Sequence, residues 1–136
     1  MKRYTLSKKE RLKLKKDFER VYTKGSQLFS SQKKLKVNYY LESSVNDKGI
    51  KAAFVVSKKA GKAVWRNRIR RLLKEAYRTN KIDLTDFCIN NNFLLYLVFS
   101  PRTLNQKQNK KIKLSFILDD LVDLLNKVKN QIQQHA

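Results

Sequence analysis

Apolar positions change their period several times along the chain, and each change marks an element. Leu14, Phe18, Val21 and Tyr22 recur at spacings of four, three and one, which predicts a helix ending at Gly25. Its start is open. Ser7 followed by Glu10 has the form of a capping box, while Lys13, Lys15 and Lys16 put positive charge where a helix N-terminus disfavours it. Residues 1–13 therefore read as a basic arm or a first helical turn. From Leu35 the period becomes two, with Leu35, Val37, Tyr39 and Leu41 on one face and Lys36, Asn38 and Tyr40 on the other, the pattern of a half-buried strand. Residues 42–49 have turn composition and 50–57 read as a second strand, so an antiparallel hairpin is expected. Beyond Gly61, the spacing of Ile69, Leu72, Leu73 and Ala76 is that of an amphipathic helix.

After a polar connection, residues 93–99 are apolar on both parities, as suits a strand covered on both faces. The final element carries Leu114, Ile117, Leu118, Leu121, Leu124, Leu125, Val128 and Ile132 on one helical face, with residues 131–136 as a tail. Helix, strand, strand, helix, strand, helix is the order α-β-β-α-β-α, and strand, helix, strand within it suggests a parallel crossover. The expected fold is α+β, a small two-layer α/β sandwich whose central mixed sheet packs against helices. A chain of 136 residues suits one domain spanning 1–136.

Charge narrows the partner. The chain carries 32 Lys and Arg against 11 Asp and Glu, a net +21, and this excess repels itself unless an anionic polymer relieves it. Nucleic acid is the first candidate and an anionic membrane surface the second. With 41% hydrophobic residues the chain is too apolar for a purely disordered polycation. Cys88 and His135 are the sole cysteine and histidine, too few for a disulfide framework or a zinc finger, and neither is assigned chemistry. The N-terminus has no apolar stretch of the signal-peptide kind, and the run 93–99 falls far short of the ~20 residues that span a bilayer, so a cytoplasmic protein with no membrane partner is expected.

Residues 58–78 hold nine Lys or Arg and one acid, Glu75. On a helix, Arg66 and Arg70 border the apolar face on one side and Arg68 on the other, while Arg71, Lys74 and Arg78 lie opposite it. A solvated helix normally mixes signs to gain i,i+4 pairs. This one does not, and arginine binds phosphate bidentately and stacks on bases, which points to folded RNA.

Val56, Ser57, Lys58 and Lys59, then Gly61, Ala63 and Val64, then Arg66, Asn67, Arg68, Ile69, Arg70, Arg71 and Leu72 resemble the signature of the bacterial ribonuclease P protein component, including its arginine-asparagine-arginine motif. The likeness extends to Arg11, Leu12 and Lys13, to Asp17 and Phe18 through Val21 and Tyr22 to Gly25, and to the strand around Val37 and Tyr39. It departs at Lys62, Ala53 and Tyr22, and from Asn80 onward the elements match only in kind.

The resemblance implies a protein subunit of a ribonucleoprotein endonuclease, which joins a catalytic RNA and assists removal of the 5′ leader from precursor tRNA. Lys58, Lys59, Arg66, Asn67, Arg68, Arg70, Arg71 and Lys74 would contact the catalytic RNA; Phe18, Tyr22, Val37 and Tyr39 would form the leader-binding cleft. No catalytic residue is expected in the protein, Mg2+ would be held mainly by the RNA, and one protein per RNA is expected. A left-handed crossover between the parallel strands is also implied, against the general preference for the right hand.

Rings support the cleft separately. Phe18 and Tyr22 are one helical turn apart and Tyr39 shares a strand face with Val37; unpaired bases stack on such rings with little sequence preference. Aromatic residues at helical spacing are also ordinary core material, and for Tyr22 both readings stand. Asp119, Asp120 and Asp123 could be imagined around Mg2+, but charge on a polar helix face is the simpler reading. Two rival classes remain: a binding module such as a ribosomal protein, which needs no leader cleft, and a protein-only nuclease, which needs titratable groups converging on a metal.

Overall fold

The two strands expected to pair with each other are separated by a third. The computed structural model describes residues 6–135, in the order α1 (Lys15–Lys24), β1 (Ser26–Phe29), β2 (Leu35–Ser43), β3 (Gly49–Phe54), α2 (Ala63–Asn80), α3 (Ile82–Asn90), β4 (Phe93–Pro101) and α4 (Leu114–Ile132). Short 3-10 turns lie at Lys8–Glu10, Lys58–Ala60 and Gln133–His135. The strands form one mixed sheet in the order β1-β2-β4-β3. β4 pairs antiparallel with β2, matching Val37 to Phe99 and Tyr39 to Leu97, and parallel with β3, matching Ala52 to Leu97 and Phe54 to Phe99.

The expected β2–β3 hairpin is thus corrected, and the physical reason is β4. Its residues are buried on both parities, so at an edge its unpaired N–H and C=O groups would lie beside exposed apolar side chains, whereas at the centre both backbone edges are paired and both faces covered. The parallel β3–β4 pairing requires a crossover, and α2 with α3 supplies it.

Leu95, Leu97 and Phe99 of β4 join the large core formed with α2, α3 and α4; Leu94, Tyr96 and Val98 join a small cluster with Val21 of α1 and Leu12. The α+β sandwich is therefore deep on one face of the sheet and thinly covered by α1 on the other. Helix α1 ends at Gly25, whose backbone is extended, and the position requires glycine because a Cβ there would lie 2.3 Å from the Tyr39 carbonyl oxygen and 2.4 Å from that of Val21.

Two elements escape the sequence pattern. β1 pairs with β2 at the sheet edge, but Leu28 and Phe29 are adjacent and give no alternation. α3 lies in what reads as a polar connection. Its Leu84 and Cys88 are buried, with Phe87 packed beside them, and burial pushes the Cys88 thiol up to about 12.

The Ser7–Glu10 box does form. The Ser7 amide and hydroxyl both donate to Glu10 Oε1, at 3.2 and 3.1 Å, but the box closes the single turn Lys8–Glu10 and does not start α1. Beyond it, Arg11 bridges to Ala52 in parallel and the Leu12 amide donates to the Ala52 carbonyl at 2.9 Å, which covers the free edge of β3. Glu10 pairs with Lys81, whose side chain is buried at the α2–α3 junction. Residues 1–5 of the expected arm lie outside the described residues. Of the expected tail, Ile132 is buried in the large core and residue 136 also lies outside the described residues.

Candidate nucleic-acid interface

Helix α2 buries Trp65, Ile69, Leu73, Ala76 and Tyr77, so its remaining directions carry the charge. Its entry is held from several sides. Ser57 Oγ accepts from the Lys59 amide at 3.1 Å, closing the turn that exposes Lys58 and Lys59. The loop 102–113 then binds the start of the helix. Gln106 accepts the Lys62 amide at 2.7 Å through its side chain and donates its own amide to the Ala60 carbonyl at 2.7 Å; Trp65 Nε1 donates to the Asn109 carbonyl at 2.8 Å. Trp65 and Gln106 occupy the space a Cβ on Gly61 would need, with their nearest atoms at 2.7 and 2.8 Å.

The cations of α2 divide by what they touch. Arg66 Nε donates to the Gly61 carbonyl at 3.0 Å; Arg68 donates through Nε and Nη2 to the Ile112 carbonyl at 3.2 and 2.7 Å; Arg70 Nη1 donates to Asn67 Oδ1 at 3.0 Å. Arg78 is taken up by Glu75, 2.6 Å away. The side chains of Lys58, Lys59, Arg71 and Lys74 are exposed, and among the described residues no hydrogen bond or ion pair engages them. Arg71 and Lys74 are therefore cations without a local counterion, and Arg68 is partly committed to holding the loop.

Phe18 packs with Tyr40, Ala53, Leu94, Tyr96 and Val98 on the thin face of the sheet. The Tyr40 and Tyr96 rings stack with centroids 6.0 Å apart. Arg20 lies 5.9 Å above the Tyr96 ring and donates to Glu42 at 3.3 Å; burial, followed by the Glu42 carboxylate, pushes the Tyr96 phenol up. Tyr22 projects from α1 with half its surface exposed.

The four residues expected to form one cleft are not brought together. Val37 is fully buried in the large core and Tyr39 packs against the same core, on the opposite face of the sheet from Phe18. Successive strand residues alternate in direction, so a one-residue difference in parity moves the whole set through the sheet. On β2 the positions sharing the α1 side are Lys36, Asn38 and Tyr40. The mixed polarity of that parity was a usable signal, since a thinly covered face tolerates Lys and Asn.

Phe18 does meet the basic helix. A pocket of about 330 Å³ is walled by Phe18, Ala53 and Val55 on one side and Arg70, Arg71 and Lys74 on another, with Arg11 and Lys13 at its rim. Apolar and aromatic surface thus lies beside unpaired cations in one concavity, the combination that holds a single strand by ring contact and phosphate attraction together.

Of the three acids on α4, Asp120 is buried and accepts from Ser30 Oγ, while Asp123 accepts from the Ser31 amide and hydroxyl at 2.8 and 3.0 Å and pairs with Lys127 at 3.2 Å. They fasten the β1–β2 turn to α4, which leaves Asp119 exposed. Such engaged carboxylates do not fit a protein-held Mg2+, and no group of three or more His, Cys, Asp or Glu converges among the described residues. Among the described residues no helix is long and apolar enough to cross a membrane.

The family model described as Ribonuclease P matches residues 6–129. The ribonuclease P protein component of Petrotoga mobilis is 37% identical over 124 residues, covering 91% of this chain and 95% of that relative. That of Alkaliphilus oremlandii is 44% identical over 70 residues, 52% of this chain and 57% of the relative. Among solved structures, the Staphylococcus aureus RNase P protein superposes with a TM-score of 0.65 at 23% identity, covering 88% of this chain and 95% of that one, a likeness that speaks for the fold.

Proposed function

The chain belongs to the ribonuclease P protein component family, and on that premise we propose that it binds a catalytic RNA and the 5′ leader of precursor tRNA, assisting endonucleolytic removal of the leader. The observation that carries this reading is the pocket shared by Phe18 and by Arg70, Arg71 and Lys74. Unpaired cations draw phosphates together that would otherwise repel each other, and the adjoining rings accept bases of any identity. Tolerance of that kind suits a protein that meets many leader sequences.

In this reading Lys58, Lys59, Asn67, Arg71 and Lys74 face the RNA directly. Arg66 and Arg68 combine contact with holding the helix entry and the 102–113 loop, and Arg70 combines it with its bond to Asn67. The leader lies along Phe18 and Tyr40 with Tyr22 at its margin, in place of a cleft containing Val37 and Tyr39. Bond cleavage is assigned to the RNA, with Mg2+ on its phosphates, and the protein acts by charge and positioning. We assign one protein per RNA and a cytoplasmic site of action.

Reconstitution with a bacterial ribonuclease P RNA at low Mg2+ tests the proposal. Restored 5′ processing, with precursor tRNA bound more tightly than mature tRNA, is the expected result. Equal binding of precursor and mature tRNA would remove the leader cleft and favour a plain binding module. Cleavage by the protein with all RNA removed would make it a nuclease in its own right.

A further inference from the structure

A second basic surface lies on the side of the sheet away from α1. The loop 102–113 contains Arg102, Lys107, Lys110, Lys111 and Lys113 and no acid. Where it enters α4 it borders a hollow of about 680 Å³, lined by Lys34, Lys110, Lys111, Lys113 and Phe116. Lys34 reaches in from the β1–β2 turn, its Nζ 3.8 Å from the centre of the Phe116 ring and 3.1 Å from the Phe116 carbonyl oxygen. Asp119 and Asp120 also border the hollow; Asp120 is engaged by Ser30, and Asp119 is exposed and makes no ion pair with these lysines among the described residues. Lys110, Lys111 and Lys113 are exposed, and among the described residues no carboxylate pairs with them.

Local rules do not explain this placement. Lys113 occupies the N-cap of α4, where its side chain offers no acceptor for the first amides, and the first turn of α4 holds no acid. Three lysines before the positive pole of a 19-residue helix raise the local potential with no gain inside the chain. An external anion would relieve that cost. The loop is also anchored to α2 through Trp65 to Asn109 and Arg68 to Ile112, so the lysines keep a fixed relation to the α2 cations.

We propose that Lys34, Lys110, Lys111 and Lys113 bind the phosphodiester backbone of the catalytic RNA, as a contact separate from the outer face of α2 and from the α1-side pocket. This rests on the function proposed above. The catalytic RNA is the occupant because the leader is assigned to the opposite face of the sheet. Phe116, 40% exposed, offers a ring beside the phosphates.

The test measures binding of the full chain to a ribonuclease P RNA transcript, without tRNA, over a series of salt concentrations. K110Q/K111Q/K113Q should lower the slope of log affinity against log salt by about 2–3, since each neutralised phosphate contributes roughly 0.7–0.9. A charge-matched variant elsewhere, K24Q/K48Q/K129Q, should leave the slope nearly unchanged. An equal drop in both variants would show that only net charge matters and overturn the proposal; so would an unchanged slope in the first, or a drop seen only when precursor tRNA is present. Thermal unfolding checks that the variants are folded, and K110Q/K111Q should show about two-thirds of the triple effect. If the unsubstituted chain itself shows no salt-dependent binding to the transcript, it is the function proposed above that falls.

Discussion

On the face of the sheet covered by α2, α3 and α4, 24 buried residues form the core among the described residues; on the face covered by α1, five do. Both faces use the same strands, and β4 supplies apolar side chains to each. The difference is coverage. A 10-residue helix extends about 15 Å and cannot cover nine-residue strands, which extend about 30 Å, so α1 leaves Phe18 and part of β3 accessible beside the cations of α2. Burial on the deep face stabilises the fold, and incomplete burial on the thin face leaves aromatic surface free to bind. The two faces should therefore answer differently to substitution.

The largest expected effect is on the deep face. Ile69→Ala or Leu121→Ala, each at a fully buried position, should cost about 2–5 kcal/mol in urea unfolding. Phe18→Ala, at a half-buried one, should cost clearly less. Equal losses would break the contrast between the faces.

Glu10→Gln should come next, at about 1–3 kcal/mol, because it removes the charge of a carboxylate that pairs with the buried Lys81 ammonium. Burial works to raise the Glu10 pKa, but the Lys81 and Ser7 donors outweigh it and the net shift is downward. A carboxyl lowered in the folded state stabilises above its unfolded value, near ~4.3, and loses that contribution as pH falls through the folded value. The unsubstituted protein should accordingly lose more stability on acidification than Glu10→Gln, and parallel pH profiles would remove Glu10 as the source.

Parity on β2 can be tested by binding alone. Tyr40→Ala should weaken precursor tRNA by about 1–3 kcal/mol per lost stacking contact while leaving mature tRNA nearly unaffected. Tyr39→Ala should show no such selectivity. A selective loss at Tyr39 and none at Tyr40 would return the cleft to the other parity, which its place against the large core opposes.

The smallest effect sharpens the basic helix. Arg71→Ala should leave stability unchanged and reduce the salt slope for RNA binding by about 0.7–0.9. Arg68→Ala is less clean, because it also releases the Ile112 carbonyl and should loosen the 102–113 loop.

Much of this was readable from residue order. The buried stripe of α2 follows the spacing of Ile69, Leu73 and Ala76, and its unpaired cations follow from the scarcity of acids between 58 and 78. The limit of α1 at Gly25 and the double coverage of β4 were equally legible. α3 was missed because Lys81 is in helical conformation and joins it to α2, with no Gly or Pro to announce a break. That Val37 and Tyr39 lie on the opposite face of the sheet from Phe18 was not legible, because Tyr39 and Tyr40 are adjacent aromatic residues on opposite parities, and a resemblance in residue type does not say which one faces α1.

Periodicity and charge reach as far as neighbours along the chain. They settle which residues share a helical or strand face, that one helix carries cations almost without acids, and through the family signature what kind of protein this is. Which strand lies beside which is a matter of pairing between distant segments, and an apolar strand satisfied on both parities took the centre and parted β2 from β3. That arrangement also decided which side of the sheet α1 would leave half covered, and so where rings and cations meet.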